Sequence, residues 1–168
     1  MRVAVTGTPG TGKTTATERL ETDLEVVHLT EVIEEQGFVT ERDAERDTLV
    51  ADVDALRKWF ADREDVLVES HLAHLLPVDR VVVLRCHPEE LERRLRERDE
   101  PEATVTENAE SEALDVILSA AVERHGRDSV YEIDTTDRSP AAVADEIARV
   151  VEGDREPSAG EVSFVEYL

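Results

Sequence analysis

The sequence predicts one three-layer α/β domain, a five-stranded parallel sheet flanked by helices. Two observations carry that prediction. Short apolar runs alternate with helical patterns along the chain, the way βα units stacked on a parallel sheet read in sequence. A glycine-rich turn, Gly7 to Thr14, lies between the first apolar run and the first helical pattern, where such folds place a phosphate-binding loop. A length of 168 residues suits one compact core and disfavours a second independent domain.

Val3 to Thr6 is the first strand and Lys13 to Leu20 the helix after it. Glu25 to Leu29 reads as a second strand. Thr30 then caps a short helix, Glu31 to Gln36, which Gly37 stops. After a polar stretch, Val39 to Asp47, Val53, Leu56, Trp59 and Phe60 recur at helical spacing. Val66 to Val68 and Val81 to Leu84 are apolar throughout, as central strands buried on both faces are. Pro88 opens a helix whose stripe is Leu91 and Leu95. An acidic interruption follows, and Asn108 caps a helix with Ala109, Glu112 or Ala113, Val116, Ile117 and Ala120 along one side. Val130 to Ile133 is the fifth strand. Ser139 and Pro140 start a closing helix with Val143, Ile147, Val150 and Val151 inward. The domain is thus 1–152, and a tail, 153–168, is left to dock back or meet a partner.

Charge excludes several functions. Acidic residues number 41 against 19 basic, a formal net charge of -22, so the field repels nucleic acid and no direct DNA binding is expected. Apolar residues still make up 40% in ordered runs, so the acidity belongs to a folded surface. Only Lys13 and Lys58 are lysines, against 17 arginines. Scarce lysine with surplus carboxylate fits concentrated salt, where screening shortens repulsion to ~3 Å at 1 M, and suggests a halophilic source. The single cysteine, Cys86, ends an apolar strand and reads as a buried structural thiol. No apolar stretch approaches the ~18 residues of a membrane span, and Met1 leads straight into the first strand, so a soluble cytoplasmic protein is expected.

The strongest motif is Gly7-Thr8-Pro9-Gly10-Thr11-Gly12-Lys13-Thr14, a full match to G-x-x-x-x-G-K-[ST]. Its glycines let successive N–H groups converge on one concavity above a helix N-terminus, which suits a triphosphate chain. Lys13 then reaches the β- and γ-phosphates, and the Thr14 hydroxyl ligates Mg²⁺. The predicted ligand is therefore a purine nucleoside triphosphate, ATP, with Mg²⁺. Val66-Leu67-Val68-Glu69-Ser70-His71 is an apolar strand ending in an acid, which in such folds holds the metal or its water. Taken by itself Glu69 reads more readily as a strand-end capping carboxylate than as a metal ligand; the phosphate loop reverses that preference. His71 is a candidate to orient water or acceptor.

Arg93, Arg94, Arg96 and Arg98 crowd the end of the helix from Pro88. Arginines on a closing flap neutralise charge spread over the equatorial oxygens of a phosphoryl group in flight. Most of the four balance Glu89, Glu90, Glu92 and Glu97 on the helix surface. Arg98, nearest the following loop, is the functional candidate.

The loop GTPGTGKTT, the strand with VESHLAHLLPVD, the run LRCHPEELERRLRERD and the segment TENAESEALDVI together resemble the adenylate kinase isoenzyme 6 family, the archaeal and eukaryotic broad-specificity nucleoside-monophosphate kinases, from Val3 to about Val151. The resemblance implies an adenylate-kinase-like P-loop NTPase fold with a short lid at about 98–108 and a monophosphate-binding flap at about 29–50. It implies an ATP site of Gly10, Thr11, Gly12, Lys13, Thr14 and Thr15, with Arg98 from the lid, and Thr14 and Glu69 toward the metal. Arg42 and Arg46 are the flap's candidates for the acceptor phosphate. Relatives often carry Asp where this chain has Glu69, and Gly after the lid arginine where it has Asp99. They also carry lid lysines where it has Ala103 and Thr104.

The expected activity is transfer of the γ-phosphoryl of Mg·ATP to AMP or a related monophosphate, with Lys13, Arg98 and His71 as catalytic candidates. The resemblance also implies an alternative, an ATPase in small ribosomal subunit maturation with a ribosomal protein as partner. A P-loop kinase of a non-nucleotide metabolite is the third reading; it shares the loop but leaves the lid segment unexplained.

Overall fold

The computed structural model describes residues 1–43 and 48–168, with side chains outside 42–49. Its centre is a five-stranded sheet built from β1 (Arg2–Gly7), β2 (Glu25–His28), β5 (Val66–Glu69), β6 (Arg80–Arg85) and β7 (Val130–Asp134), in the order β2-β5-β1-β6-β7. All its pairings are parallel. The strand order places β1, and the loop after it, at the middle of the sheet.

Both faces are covered, which is why these strands read as unbroken apolar runs rather than alternating ones. Side chains still alternate between faces. Ala4, Val66, Val68, Val81 and Val83 pack with Leu29, Leu56, Phe60 and Leu118, from α2 (Leu29–Gln36), α3 (Val53–Phe60) and α6 (Val116–His125). Val3, Val5, Leu67, Val82 and Leu84 pack with Ala16, Val143, Ile147 and Val150, from α1 (Lys13–Glu18) and α7 (Pro140–Glu152). A smaller cluster, Cys86, Leu91, Leu95 and Val105, joins the end of β6 to α4 (Pro88–Glu97) and α5 (Glu102–Ala113).

Several local expectations hold. Pro88 and Pro140 stand in the first turns of α4 and α7, the Ser139 hydroxyl accepts from Ala142 N, and Gly37 closes α2 with φ 68°. Others need correction. Thr30 lies inside α2, whose cap position is His28. The polar stretch after Gly37 is an antiparallel hairpin, β3 (Val39–Asp43) against β4 (Thr48–Ala51). Asn108 is the middle of a helix rather than its cap. The acidic interruption is itself helical from Glu102, immediately after Pro101, and the expected single helix breaks at Asp115, whose φ of 56° separates α5 from α6.

The tail docks back on the domain. Ser158 N bonds Val130 O at 3.1 Å, and Glu161 N and Val162 N reach Glu132 Oε2 at 2.8 and 3.2 Å. Phe164 stacks edge-on against His87, and Tyr167 donates its hydroxyl to Glu92 of α4.

Candidate active site

The strand-loop-helix unit β1-α1 wraps the phosphate loop around its own N–H groups. Gly12, at the cap position of α1, has φ 93°, a left-handed conformation that β-carbons disfavour. Gly10, at φ 95°, has a second constraint: a Cβ there would sit 2.8 Å from Leu91 Cδ1, so α4 packs directly on the loop. Lys13 Nζ donates to Gly7 O at 3.0 Å and Thr8 O at 3.2 Å. Burial, with Arg98 adding repulsion against the attraction of Glu69, lowers its pKa to about 8, which leaves it largely protonated at neutral pH.

Lys13, Thr14, Thr15, Gly10 and Gly12 share a cleft of about 320 Å³ with Glu69, Ser70, His71 and Arg98. The residues expected at the site from β1, β5 and α4 thus meet. The Thr14 hydroxyl donates to Glu69 Oε1 at 3.0 Å, and Glu69 is 5% exposed. A hydroxyl and a carboxylate side by side form the hard oxygen set that suits Mg²⁺, so the residues present fit that ion. His71 stands open to the cleft. Crowding on its protein side, reinforced by the Lys13 charge, pushes its pKa down to about 4, so the ring is neutral at pH 7.

Thr11 turns inward. Its hydroxyl bonds Thr8 O at 2.8 Å and its carbonyl accepts from Thr135 Oγ1 at 3.1 Å, so its side chain is spent on the loop's own shape. The arginines of α4 divide. Arg93 pairs with Glu90 and Glu97, and Arg96 with Glu92 and Glu102, as a balanced helix surface would. Arg98 makes no ion pair among the described residues and borders the cleft. Arg42 lies in β3 with its side chain outside the described set, and Arg46 is wholly outside it.

Sequence reasoning missed two residues. His28 Nδ1 lies 2.7 Å from Glu69 Oε1, because parallel register sets it beside Glu69 at the matching end of β2. Arg94 keeps Glu90 on its Nε at 3.2 Å and extends its other nitrogens to the loop, reaching Gly10 O at 3.4 Å and Thr135 O at 3.0 Å. Its spacing offered a signal, since it falls one turn after Leu91 and beside Leu95, the residues that face Gly10. Arg94 and Arg98 also line an adjoining cleft of about 370 Å³ with Thr15, Arg138, Pro140 and Val143. Cys86 is fully buried and its thiol pKa is pushed up to about 12, chiefly by burial, so it is the inert structural thiol expected.

Comparison with known proteins places the chain in a family and a fold. The AAA domain family matches residues 3–115. Over its whole length the chain is 61% identical to the full-length "Putative adenylate kinase" of Natronomonas pharaonis, and 60% identical to all of the protein of that name from Halobacterium salinarum. The Methanothermobacter thermautotrophicus protein of the same name is 46% identical over 99% of this chain and 98% of its own. Among solved structures, shikimate kinase from Bacteroides thetaiotaomicron superposes with a TM-score of 0.57 at 21% identity, over 90% of this chain and 98% of that one, which establishes a shared fold. No described helix is long and apolar enough to cross a membrane. The chain belongs to the AAA domain family and, within it, to the group of archaeal P-loop proteins that carry the adenylate kinase name.

Proposed function

We propose that the chain is a nucleoside-monophosphate kinase of the adenylate kinase isoenzyme 6 type, moving the γ-phosphoryl group of Mg·ATP to AMP or a related monophosphate. The observation that carries this reading is the convergence of Lys13 and Arg98, two cations with no ion pair among the described residues, on the one cleft that also holds Thr14 and Glu69. Unspent positive charge at a phosphate loop is what a transferring phosphoryl group needs.

In this reading the triphosphate lies across Gly10 to Thr15, and Lys13 leaves its two carbonyls for the β- and γ-phosphates. Thr14 and Glu69 would hold Mg²⁺, which would supply neutralisation of the phosphate charge. Arg98 approaches from the lid segment as the γ-phosphorus loses its bond to the β-bridging oxygen and gains one to an acceptor phosphate oxygen. ADP leaves with the bridging electrons. The acceptor oxygen is already an anion, so no general base is required, and catalysis is positioning and charge neutralisation. Arg42 and Arg46 of the flap are the proposed acceptor-phosphate ligands.

A coupled assay in high KCl across AMP, CMP, UMP, dAMP and common metabolites tests the assignment. ADP formation that depends on a nucleoside monophosphate supports it. A response to a non-nucleotide metabolite alone replaces it with the third reading. One observation favours a second reading: His71 is neutral and faces the cleft, so it has both a donor and an acceptor with which to orient a water. ATP consumed without any acceptor, and faster with a small-subunit ribosomal protein, would identify an ATPase of ribosome maturation. The reading also sets the protein in a cytoplasm rich in salt. A melting temperature that rises from low to molar KCl agrees with that, and a flat or falling curve rejects it.

A further inference from the structure

The inner side of the phosphate loop is fastened to a carboxylate from a distant helix. Thr8 is 1% exposed, and its hydroxyl donates to Glu112 Oε1 of α5 at 3.1 Å. The carbonyl of the same residue accepts from Lys13 Nζ at 3.2 Å, from Thr11 N at 3.2 Å and from Thr11 Oγ1 at 2.8 Å. Thr8 therefore joins the lysine meant for the β- and γ-phosphates to α5, the helix whose first half lies in the lid segment.

Glu112 is placed to hold rather than to react. It is 3% exposed, its Oε2 accepts from Cys86 N at 2.8 Å, and Arg85 Nε approaches Oε1 at 3.3 Å. Arg85 is itself fully buried and fixed by Glu132 at 2.7 Å and Asp115 at 2.5 Å. Those two pairs, with Glu112 itself, compensate the arginine's charge among carboxylates. The bond to Thr8 adds nothing to that compensation, and a valine of equal shape would fill the same space. What the hydroxyl contributes is a fixed orientation for the Thr8 peptide.

We propose that Glu112 is a positioning residue for the phosphate loop. Through the Thr8 hydroxyl it fixes the peptide whose carbonyl parks Lys13, and so sets the loop geometry from which Lys13 turns onto the triphosphate. The inference rests on the donor-site reading above, and its test separates the two.

Thr8→Val removes the donor and keeps the volume, while Thr8→Ser keeps the donor and loses only a methyl group. Calorimetry in molar KCl gives the Kd for Mg·ATP, steady-state kinetics gives KM for ATP and for AMP, and a melting curve confirms folding. Thr8→Val is expected to raise Kd and KM for ATP roughly tenfold, the size of one hydrogen bond to a charged acceptor, with KM for AMP unchanged. Thr8→Ser should stay within about twofold of the parent, and Glu112→Gln should move in the same direction as Thr8→Val. Wild-type Kd and KM for ATP in Thr8→Val would overturn the proposal, as would equal weakening in the valine and serine variants. Should Thr8→Val fail to fold, Thr8→Ala against Thr8→Ser carries the same comparison. If the parent binds Mg·ATP but phosphorylates no monophosphate, the kinase reading falls while the Kd comparison still decides the role of Glu112. A parent that binds no ATP ends both.

Discussion

Two clusters of arginine, lysine and carboxylate lie within the same βα architecture and differ in one respect. Around Arg85 every guanidinium nitrogen has a partner: Nε on Glu112, Nη1 on Glu132, Nη2 on Asp115 and the Glu112 carbonyl. Around the phosphate loop Lys13 rests on two backbone carbonyls, and Arg98 has no ion pair among the described residues. Both clusters contain cations close to acids, so composition alone would not distinguish them. Satisfaction does. A buried cation with all donors met has been used up by folding, whereas cations left open on a glycine loop keep their charge for a ligand.

The sharpest way to break this contrast is to remove one cation from each cluster. Lys13→Ala is expected to lower kcat/KM at least ~10³-fold, with little loss of melting temperature, because its charge serves phosphate rather than the fold. AMP-dependent ADP production at the parent rate in that variant would overturn the assignment of the open cluster. Arg85→Leu should act first on the fold. It strands Glu112, Glu132 and Asp115, and chemical denaturation should show a loss of about 3–5 kcal/mol, the cost of breaking a buried pair from one side. Stability within 1 kcal/mol of the parent would mean the network is dispensable.

Arg98→Ala refines the comparison within the open cluster. A rate loss of roughly 10²-fold with the melting temperature unchanged is expected if it meets the transferring phosphoryl group. A loss no larger than that of Arg93→Ala would return Arg98 to the balanced helix surface.

The smallest expected effect concerns a third, uncharged cluster beneath the site. His74 is 5% exposed and its Nδ1 lies 2.9 Å from Thr6 Oγ1. Burial, then the nearby His125, lowers its pKa to about 4. A histidine depressed in the folded state binds its proton more readily when unfolded, so the stability tied to its neutral form is present above the unfolded value of ~6.5. That stability drains as pH falls toward 4, by up to about 1.4 kcal/mol per pH unit. Denaturation in molar salt at pH 7 and pH 5 measures the slope, and His74→Asn, which keeps a polar atom near Nδ1, should flatten it. An unchanged slope would assign the acid sensitivity elsewhere.

Much of this was legible from residues alone, in proportion to how local the physics is. The loop from Gly7 to Thr14, the two proline helix starts and the apolar strands are each decided by neighbours within a few positions. The break at Asp115 was not, because the helices on either side have weakly sided patterns and a left-handed residue leaves little trace unless it is glycine. The hairpin of β3 and β4 escaped for a related reason: β3 carries Thr, Glu, Arg and Asp where a buried strand would carry valine, and its apolar partner β4 is only four residues long. His28 and Arg94 escaped because their partners are 41 residues and more away.

By itself, then, the sequence determined that a nucleotide-phosphate loop sits between a central strand and a helix, because glycine conformations and the Lys-Thr pair act within one turn. Only the tertiary structure decided which cations stay open. Arg93, Arg94, Arg96 and Arg98 are the same residue on one helix end, and their fates part at Glu90, Gly10, Glu102 and the open cleft. It also decided that the acid at the end of β5 has a histidine beside it and that the tail closes over Arg85. Register and packing bring those groups together across the chain, and neither is written in any single stretch of it.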